Sequence, residues 1–323
     1  MKEITLVRAL GEAIREEMIR DDAVFVIGEE VGVYGGCFRV TEGLFGEFGA
    51  ERVIDTPISE SAIIGAAIGA AAMGMKPVAE IMYQDFATLA IDQILNCAAK
   101  IRYMHAGHAT IPMVIRSAYG ASGAGAHHSQ SIEAMFCHIP GVKVVVPSIP
   151  YDAKGLLKSA IRDPNPVLFF EHKLTYGITG EIPSEDYTVP LGKADIKLPG
   201  QDLTVVTWGL MVHKALQAAT ELAKRGIELE VIDMRTLVPL DTTAVVNSVK
   251  KTGRLMIVHE ACKTGGYGGE IAAIVAREAF GYLDSPIERV TTPDTTIPFS
   301  RNLLETIIPS EKNIVDVALT MTG

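Results

Sequence analysis

One carboxylate, Glu60, stands at the start of a long segment of this sequence that carries no charge. Ser59 precedes it and is a residue type that favours the N-cap of a helix, and the partial positive charge of a helix start favours an acid in the first turn. Such an acid either balances the helix dipole or, beside an apolar cavity that disfavours its charged form, holds and lends a proton. We therefore expect either a structural carboxylate or acid–base chemistry at Glu60.

A pair of histidines, His127 and His128, ends a run of small residues in YGASGAGAHHSQS. The ordinary pKa of histidine is about 6.5, so either imidazole can accept or donate a proton near neutral pH. Small residues also let a backbone approach a ligand closely. The alternative is that both histidines face solvent or cap the following helix. Ser129 and Ser131 are nucleophiles on paper, but no GxSxG sequence surrounds them, so a hydrolase is only weakly indicated.

Two glycine-rich stretches, GVYGG after Glu30 and KTGGYGGE after Cys262, resemble loops that bind phosphate in α/β proteins. Neither contains GxxxxGKS or GxxxxGKT, and neither places GxGxxG between a strand and a helix. The second stretch precedes a helix and could hold an anion at the helix start. Turn geometry accounts for both stretches, so the sequence does not support a nucleotide site.

Strands and helices alternate along most of the chain, which is the pattern of an α/β fold with open, mostly parallel sheets. The run VFVIG, which begins at Val24, is typical of a parallel strand that is buried on both faces. The alternation stops between His172 and Gly200, where Gly, Pro and charged residues accumulate. We predict a first α/β domain over residues 1–180, a linker over 181–200, and a second α/β domain over 201–323.

The segment from Ala62 to Met75 predicts a buried helix that another backbone approaches closely. It contains Gly65, Gly69 and Gly74, and each glycine inside a helix costs about 1 kcal/mol relative to alanine. Close approach of a second backbone would offset this cost. A membrane span needs roughly 20 apolar residues, and this segment is shorter, so a membrane protein is not expected.

Composition narrows the class of protein further. The chain of 323 residues has a net charge of −10 and no basic face, so nucleic acid is not an expected partner. Four cysteines lack CxxC and CxxH spacing and are most simply reduced thiols of a cytoplasmic protein. No signal or transit segment is recognised before Ile4, because KEITLVRALGEAI predicts an amphipathic helix.

Four segments together resemble a known family. DTPISE with its Ala/Gly helix, EIMYQDFATLAIDQILNCAAKIRYM, HHSQS, and PGVKVVVPSIPYDAKGLLKSAIRDPNPVLFFE are similar to the beta subunit of the thiamine-diphosphate-dependent decarboxylase component of 2-oxo acid dehydrogenase complexes. The resemblance covers essentially the whole chain. It implies a pyrimidine-binding domain followed by a transketolase C-terminal-like domain. TGEIPSEDYTVPLGKADIK and AHHSQS look most like the acetoin and pyruvate dehydrogenase branches, and the branched-chain branch remains open.

The resemblance implies roles for individual residues around the cofactor. Glu60 matches the family glutamate that hydrogen-bonds the aminopyrimidine ring of thiamine diphosphate and relays a proton through it. Phe86 matches the aromatic residue that packs on this ring, and Ile58 and Met82 match its apolar neighbours. The position of Glu60 suits this role, since a carboxylate beside an apolar helix is suited to hold a proton.

Two further matches concern the acyl acceptor and a cation. His128 matches the family histidine near the reacting carbon, whereas His127 stands where relatives often carry another polar residue, so which histidine acts is open. A structural potassium site is also implied, built largely from backbone carbonyls, and a hard cation with oxygen ligands suits these residues; structural turn residues are the alternative. The residues that match it are Met113, Ala160, Ile161, Asp163 and Asn165.

A family motif is missing. Thiamine enzymes hold the diphosphate through a divalent cation and a motif that begins with GDG, and no GDG occurs in this sequence. We infer that the cofactor lies between two different chains. This chain would hold the pyrimidine end, and an alpha subunit would bind magnesium and the diphosphate. The glycine-rich helix from Ala62 would then pack at the junction between subunits.

The resemblance therefore implies a heterotetramer of two alpha and two beta chains that is active only when both are present. It would decarboxylate pyruvate, or cleave acetoin, and pass the two-carbon unit to a lipoyl group of a separate acyltransferase core, which would contact the second domain. A branched-chain 2-oxo acid dehydrogenase beta subunit is one alternative. A non-catalytic assembly subunit and a transketolase-like half-enzyme acting on sugar phosphates are the others.

Overall fold

The computed structural model describes residues 1–323, and the chain divides into two compact units. The first comprises Met1–Tyr119 and Met135–Leu191, and the second comprises Gly120–Ala134 and Gly192–Gly323. The chain enters the second unit at Gly120 and returns to the first at Met135. It enters the second unit again at Gly192, within the segment that the sequence marks as irregular.

Strands and helices alternate in both units. In chain order, the elements up to Leu191 are β1 (Lys2–Thr5), α1 (Leu6–Arg20), β2 (Val24–Gly28), α2 (Leu44–Phe48), β3 (Val53–Asp55), α3 (Glu60–Ala72), β4 (Lys76–Tyr83), α4 (Ala99–Met104), β5 (Val114–Tyr119), α5 (Glu133–Cys137), β6 (Lys143–Val145), α6 (Pro150–Arg162), β7 (Val167–His172) and β8 (Thr179–Ile182). The later elements are β9 (Asp195–Leu198), β10 (Leu203–Thr207), α7 (Leu210–Ala223), β11 (Leu229–Asp233), β12 (Thr236–Val238), α8 (Thr242–Thr252), β13 (Leu255–Cys262), α9 (Gly268–Glu278), β14 (Glu288–Thr292), α10 (Arg301–Ile307) and α11 (Glu311–Thr322).

The sheet of the first unit is open and parallel. Its strands run in the order β6-β7-β5-β4-β2-β3, and every neighbouring pair is parallel. Strands β2, β5 and β7 are buried along their whole length, as the apolar run at Val24 predicts for a strand covered on both faces. A separate antiparallel pair is formed by β1 and β8.

Two helices pack on this sheet through one hydrophobic cluster. Leu10 and Ile14 of α1 and Leu156 of α6 are fully buried against Val26 and Val114 of the strands. Burial of an aliphatic side chain of this size contributes about 1.5–3 kcal/mol. The apolar faces of α1 and α6 therefore fix the position of both helices against the strands.

The second unit has a five-stranded sheet in the order β14-β13-β10-β11-β9. Only the edge strand β9 is antiparallel to its neighbour. Helices α7 and α11 contribute Val212, Ala215, Ile314 and Ala318 to the buried interior of this unit. The predicted fold class, with two open and mostly parallel sheets, is confirmed.

Three local features differ from the simplest sequence interpretation. The first helix begins at Leu6, because Lys2–Thr5 pairs as a strand. The helical pattern after β4 is divided into a 3-10 helix (Gln84–Ala90), a π-helix (Gln93–Ala98) and α4. Ser59 occupies the N-cap position of α3, but its hydroxyl does not cap the helix. None of the helices has the length and apolar character needed to cross a membrane.

Candidate functional site

The carboxyl ends of β2 and β4 form the part of the first unit where a ligand site is expected. The chain continues from β2 to β3 on one side and from β4 to β5 on the other side, so the strand order reverses between β2 and β4. In open parallel sheets, ligands bind in the crevice at such a reversal. Glu60 lies here as the first residue of α3, which follows β3.

Three acidic residues are close to one another at this edge of the sheet. Glu29, Glu60 and Glu80 are all buried, with 7–8% of each residue exposed. Burial, and then the charges of Glu60 and Glu80, raise the pKa of Glu29 above its ordinary value. Glu60 and Glu29 take part in no ion pair within the chain, whereas Glu80 does. Glu29 therefore holds its proton more tightly than an exposed acid, and it lies close enough to Glu60 for their charges to interact.

A buried ion cluster supports this edge from inside the sheet. Arg116 Nη1 donates to Glu80 Oε2 at 2.6 Å, and its Nε and Nη2 atoms donate to the two carboxylate oxygens of Glu171 at 2.8 and 2.6 Å. Tyr176 donates its hydroxyl to Glu171 Oε2 at 2.8 Å. Burial raises the pKa of the Glu171 carboxyl, and Arg116 opposes that increase. The guanidinium thus balances two carboxylates and holds β4, β5 and β7 in register.

Three aromatic side chains contact one another near the carboxyl end of β4. Phe86 lies in the 3-10 helix after β4, and its ring meets Tyr83 edge-on at 5.9 Å between centroids. Tyr83 meets Phe38 in the same manner at 5.7 Å. Met82, at the end of β4, is half-buried, whereas Ile58 precedes α3 and is 81% exposed. Phe86 and Met82 are therefore half-buried near the end of β4, and Ile58 presents an apolar side chain to the outside of the chain.

The histidine loop of residues Gly120–Ser131 belongs to the second unit. His127 is exposed and His128 is half-buried, and their ring centroids are 4.4 Å apart. Gly123 and Gly125 have φ angles of +79° and +91°, which favour glycine. The expected small-residue loop is therefore present, and its backbone uses conformations that other residues rarely adopt.

The residues of the predicted potassium site lie at the end of α6 and beside β5. Ala160 and Ile161 are in the last turn of α6, and the carbonyl of Ala160 accepts from the amide of Asp163 at 3.2 Å. The carbonyl of Met113 accepts from the amide of Val167 at 3.0 Å. Asn165 donates its side-chain amide to Asp163 Oδ1 at 2.9 Å.

The Asp163 carboxylate is also paired with Lys143. Backbone carbonyls are therefore the groups that this region would offer to a cation, and the potassium site stays a prediction. No group of three or more His, Cys, Asp and Glu side chains is arranged to hold a metal ion.

A second buried polar cluster lies inside the second unit. Trp208 Nε1 donates to Glu133 Oε1 at 3.1 Å, and His259 stacks on the indole with 5.2 Å between centroids. A Cβ atom at Gly268 would lie 2.7 Å from His259 Nε2, so only glycine allows this close packing. Burial raises the pKa of Glu133 to about 7 and, with the charge of Arg289, lowers the pKa of His259 to about 4.

Sequence reasoning missed several of these residues. Glu80 and Arg116 are single charges inside the apolar strands PVAEIM and PMVIRS. A buried charge must be paired, which is a signal that the strand pattern already contains. Glu29 had a weaker signal, as an acid directly after a buried strand. The sequence alone contains no indication that Glu133 and Trp208 meet.

Comparisons with known proteins cover the whole chain. Residues 2–179 match the family "Transketolase, pyrimidine binding domain", and residues 192–314 match "Transketolase, C-terminal domain". The 2-oxoisovalerate dehydrogenase subunit beta of Bacillus subtilis is 51% identical, over 91% of this chain and 90% of the relative. The acetoin:2,6-dichlorophenolindophenol oxidoreductase subunit beta of Cupriavidus necator is 49% identical, over 100% and 98%.

A third relative and a solved structure agree with these matches. The pyruvate dehydrogenase E1 component subunit beta of Rickettsia felis is 48% identical over 97% of both chains. The solved structure is a split-gene transketolase in an inactive beta4 tetramer, with a TM-score of 0.80 and 25% identity over 99% of both chains.

Proposed function

Since the chain belongs to the transketolase family, and within it to the beta subunits of 2-oxo acid and acetoin dehydrogenases, we propose that it acts in a thiamine-diphosphate-dependent dehydrogenase component. In our proposal, this component decarboxylates pyruvate or cleaves acetoin. The observation that carries this proposal is the buried acid Glu60, which lies close to Glu29 at the sheet reversal of a pyrimidine-binding domain.

Thiamine diphosphate is the cofactor that the family implies, and the residues of the crevice fit its pyrimidine end. Glu60 is buried without an ion pair, and the half-buried Phe86 and Met82 would supply an aromatic and an apolar contact. When bound, the cofactor supplies an electron sink for breaking a bond next to a carbonyl group. Glu60 would bind the pyrimidine ring and hold a proton there, and Ile58 would add an apolar contact.

Glu29 supports the role of Glu60 as a proton carrier. The charge of Glu60 contributes to the raised pKa of Glu29, so the two carboxyl groups interact. Burial and neighbouring negative charges favour the protonated form of Glu29. We infer that Glu29 keeps a proton available at the mouth of α3.

An alpha subunit would complete the site, and the surface of α3 supports a contact with it. Ala62, Gly65, Ala66 and Gly69 are exposed along one side of this helix. A Cβ atom at Gly69 would meet nothing within 4 Å, so no contact inside the chain requires glycine there. Close approach of a partner backbone explains the glycine. The alpha subunit would hold magnesium and the diphosphate in a tetramer of two alpha and two beta chains.

The second unit would serve the acyl-transfer step. His128 would bind and orient the lipoyl group that accepts the two-carbon unit, and His127 is the second candidate because both rings lie in one loop. The acyltransferase core that carries this lipoyl group would contact the second unit. We also propose a potassium ion at Met113 and Ala160 and a cytoplasmic location.

Replacement of Glu60 by glutamine tests the proposed function. The E60Q chain, reconstituted with the alpha subunit, should assemble normally in size-exclusion chromatography but lose turnover of pyruvate and acetoin. Glu51→Gln is the matched control, because Glu51 is an exposed acid of the same unit. Unchanged turnover in E60Q would contradict the assignment of Glu60 and favour a non-catalytic assembly subunit.

The branched-chain activity is a second candidate, favoured by the 51% identity to a 2-oxoisovalerate dehydrogenase subunit beta. The reconstituted enzyme should be compared on pyruvate, acetoin and 2-oxoisovalerate at equal concentrations. A higher kcat/KM for 2-oxoisovalerate than for the other two would replace the present proposal by the branched-chain one.

A further inference from the structure

The carboxylate of Glu260 connects the two ends of the histidine loop. The amide of Ala121, at the start of the loop, donates to Glu260 Oε1. The hydroxyl of Ser131, at its end, donates to the same oxygen at 3.4 Å. The backbone also closes here, because the amide of Gly120 donates to the carbonyl of Gln130 at 3.2 Å. One buried acid thus forms hydrogen bonds with both ends of a segment that contains His127 and His128.

Glu260 is held by a rigid element. It lies near the end of β13, and only 5% of the residue is exposed. Its carbonyl accepts from the buried hydroxyl of Thr292 on β14 at 2.6 Å. Hydrogen bonds to a charged acceptor inside a protein are stronger than those between neutral groups. The carboxylate therefore fixes the loop to the sheet of the second unit.

The loop is rich in glycine, which gives its backbone little intrinsic rigidity. Among its backbone bonds, the amide of His128 donates to the carbonyl of Gly125 at a long 3.4 Å. Glycines in the left-handed region give the unfolded loop many conformations, and ordering them costs entropy. An anchor at both ends reduces that freedom, so it contributes to how well the histidines are held.

We propose that Glu260 is a positioning residue that holds the loop Gly120–Ser131 and thereby presents His128 to the acyl acceptor. The statement about His128 rests on the proposed function, whereas the statement about the loop does not. Glu260 also lines a cavity of about 560 Å³ together with Gln130, Ser131 and Thr264. A shorter side chain at position 260 therefore leaves open space and introduces no clash.

Hydrogen–deuterium exchange of the full chain assembled with its alpha subunit tests the proposal directly. In Glu260→Ala, amides of residues 120–131 should exchange about 10- to 100-fold faster, as expected for loss of a charge-assisted hydrogen bond. Glu260→Gln keeps an acceptor oxygen and should restore most of the protection. Glu270→Ala, an exposed acid on α9, is the control. Equal exchange in wild type and E260A would overturn the proposal.

A kinetic comparison separates positioning from general loss of stability. E260A should lower transfer of the acyl unit to free lipoamide about tenfold or more, while oxidation of the same substrate with the dye 2,6-dichlorophenolindophenol stays within about twofold of wild type. Ser131→Ala, which removes only one loop contact, should give a smaller defect of the same kind. An equal loss with both acceptors would mean that Glu260 does not act through the loop.

The two proposals can fail separately. If the wild-type complex turns over none of pyruvate, acetoin and 2-oxoisovalerate, the proposed function is wrong. The exchange measurement still decides whether Glu260 holds the loop, because it requires no substrate.

Discussion

Replacing Glu133 by glutamine should make the protein more stable at alkaline pH and leave its stability at acidic pH nearly unchanged. Burial raises the pKa of Glu133 from 4.5 to about 7. The folded protein therefore holds this proton more tightly than the unfolded chain does. Between pH 4.5 and 7 the unfolded chain releases the proton first, so the free energy of unfolding of the wild type falls as the pH rises.

The size of this effect follows from the pKa difference. The raised pKa of Glu133 stabilises the folded protein at acidic pH by about 3 kcal/mol, and all of this stabilisation is lost above pH 7. Glutamine keeps an oxygen that can accept from Trp208 and has no proton to lose. E133Q should therefore exceed the wild type by about 3 kcal/mol at pH 8 and match it near pH 4.5. His259 titrates with the opposite sign, because its lowered pKa destabilises the fold in acid. It is present in both proteins, so its contribution cancels.

Trp208 provides the assay. It is the single tryptophan of the chain and donates to Glu133, so its fluorescence reports on the second unit. Urea unfolding followed at this tryptophan, at pH 5, 6, 7 and 8, gives the difference between the two proteins. Native-state fluorescence of the wild type should also change near pH 7, and E133Q should lack that change. An identical pH dependence of unfolding in both proteins would refute the reasoning.

Three further predictions concern the first unit. Gly69→Ala should raise the melting temperature of the isolated chain by about 2–4 °C, because alanine is the better helix former and meets nothing within 4 Å; it should also weaken assembly with the alpha subunit, and unchanged affinity in a titration would contradict the proposed contact. Glu171→Gln should cost about 1.5–3 kcal/mol in urea unfolding, because Arg116 loses charge-assisted hydrogen bonds but keeps its pair with Glu80, whereas the exposed control Glu181→Gln should be neutral. Exchanging potassium chloride for choline chloride should lower the melting temperature if the carbonyls of Met113 and Ala160 bind potassium, and an unchanged value would argue against that site.

The sequence was sufficient for features whose cause is local. The apolar run at Val24 became a buried parallel strand, and Glu60 became the first residue of its helix, because burial pattern and helix-start chemistry are properties of neighbouring residues. The division of residues 84–104 into three helix types was not predictable, since all three share similar side-chain periods.

Contacts between distant residues were beyond the sequence. Arg116 finds Glu171 across 55 positions, and Ala121 finds Glu260 across 139. A charged residue inside an apolar strand indicates that a buried partner exists, but the order of the strands decides which residue that partner is. The buried ion cluster of Arg116 and Glu171 was therefore less predictable from the sequence than the position of Glu60 at the start of its helix.

The small-residue side of α3 also places a demand on the cell that makes this protein. Gly69 and its exposed neighbours, together with the 85% exposed Met73, form an apolar surface that is in contact with water unless another chain covers it. If the proposed alpha subunit covers this side of α3, copies of this chain produced in excess of it should self-associate or be degraded. Coordinated production of both polypeptides in equal numbers, as adjacent genes under one promoter would give, is the simplest remedy.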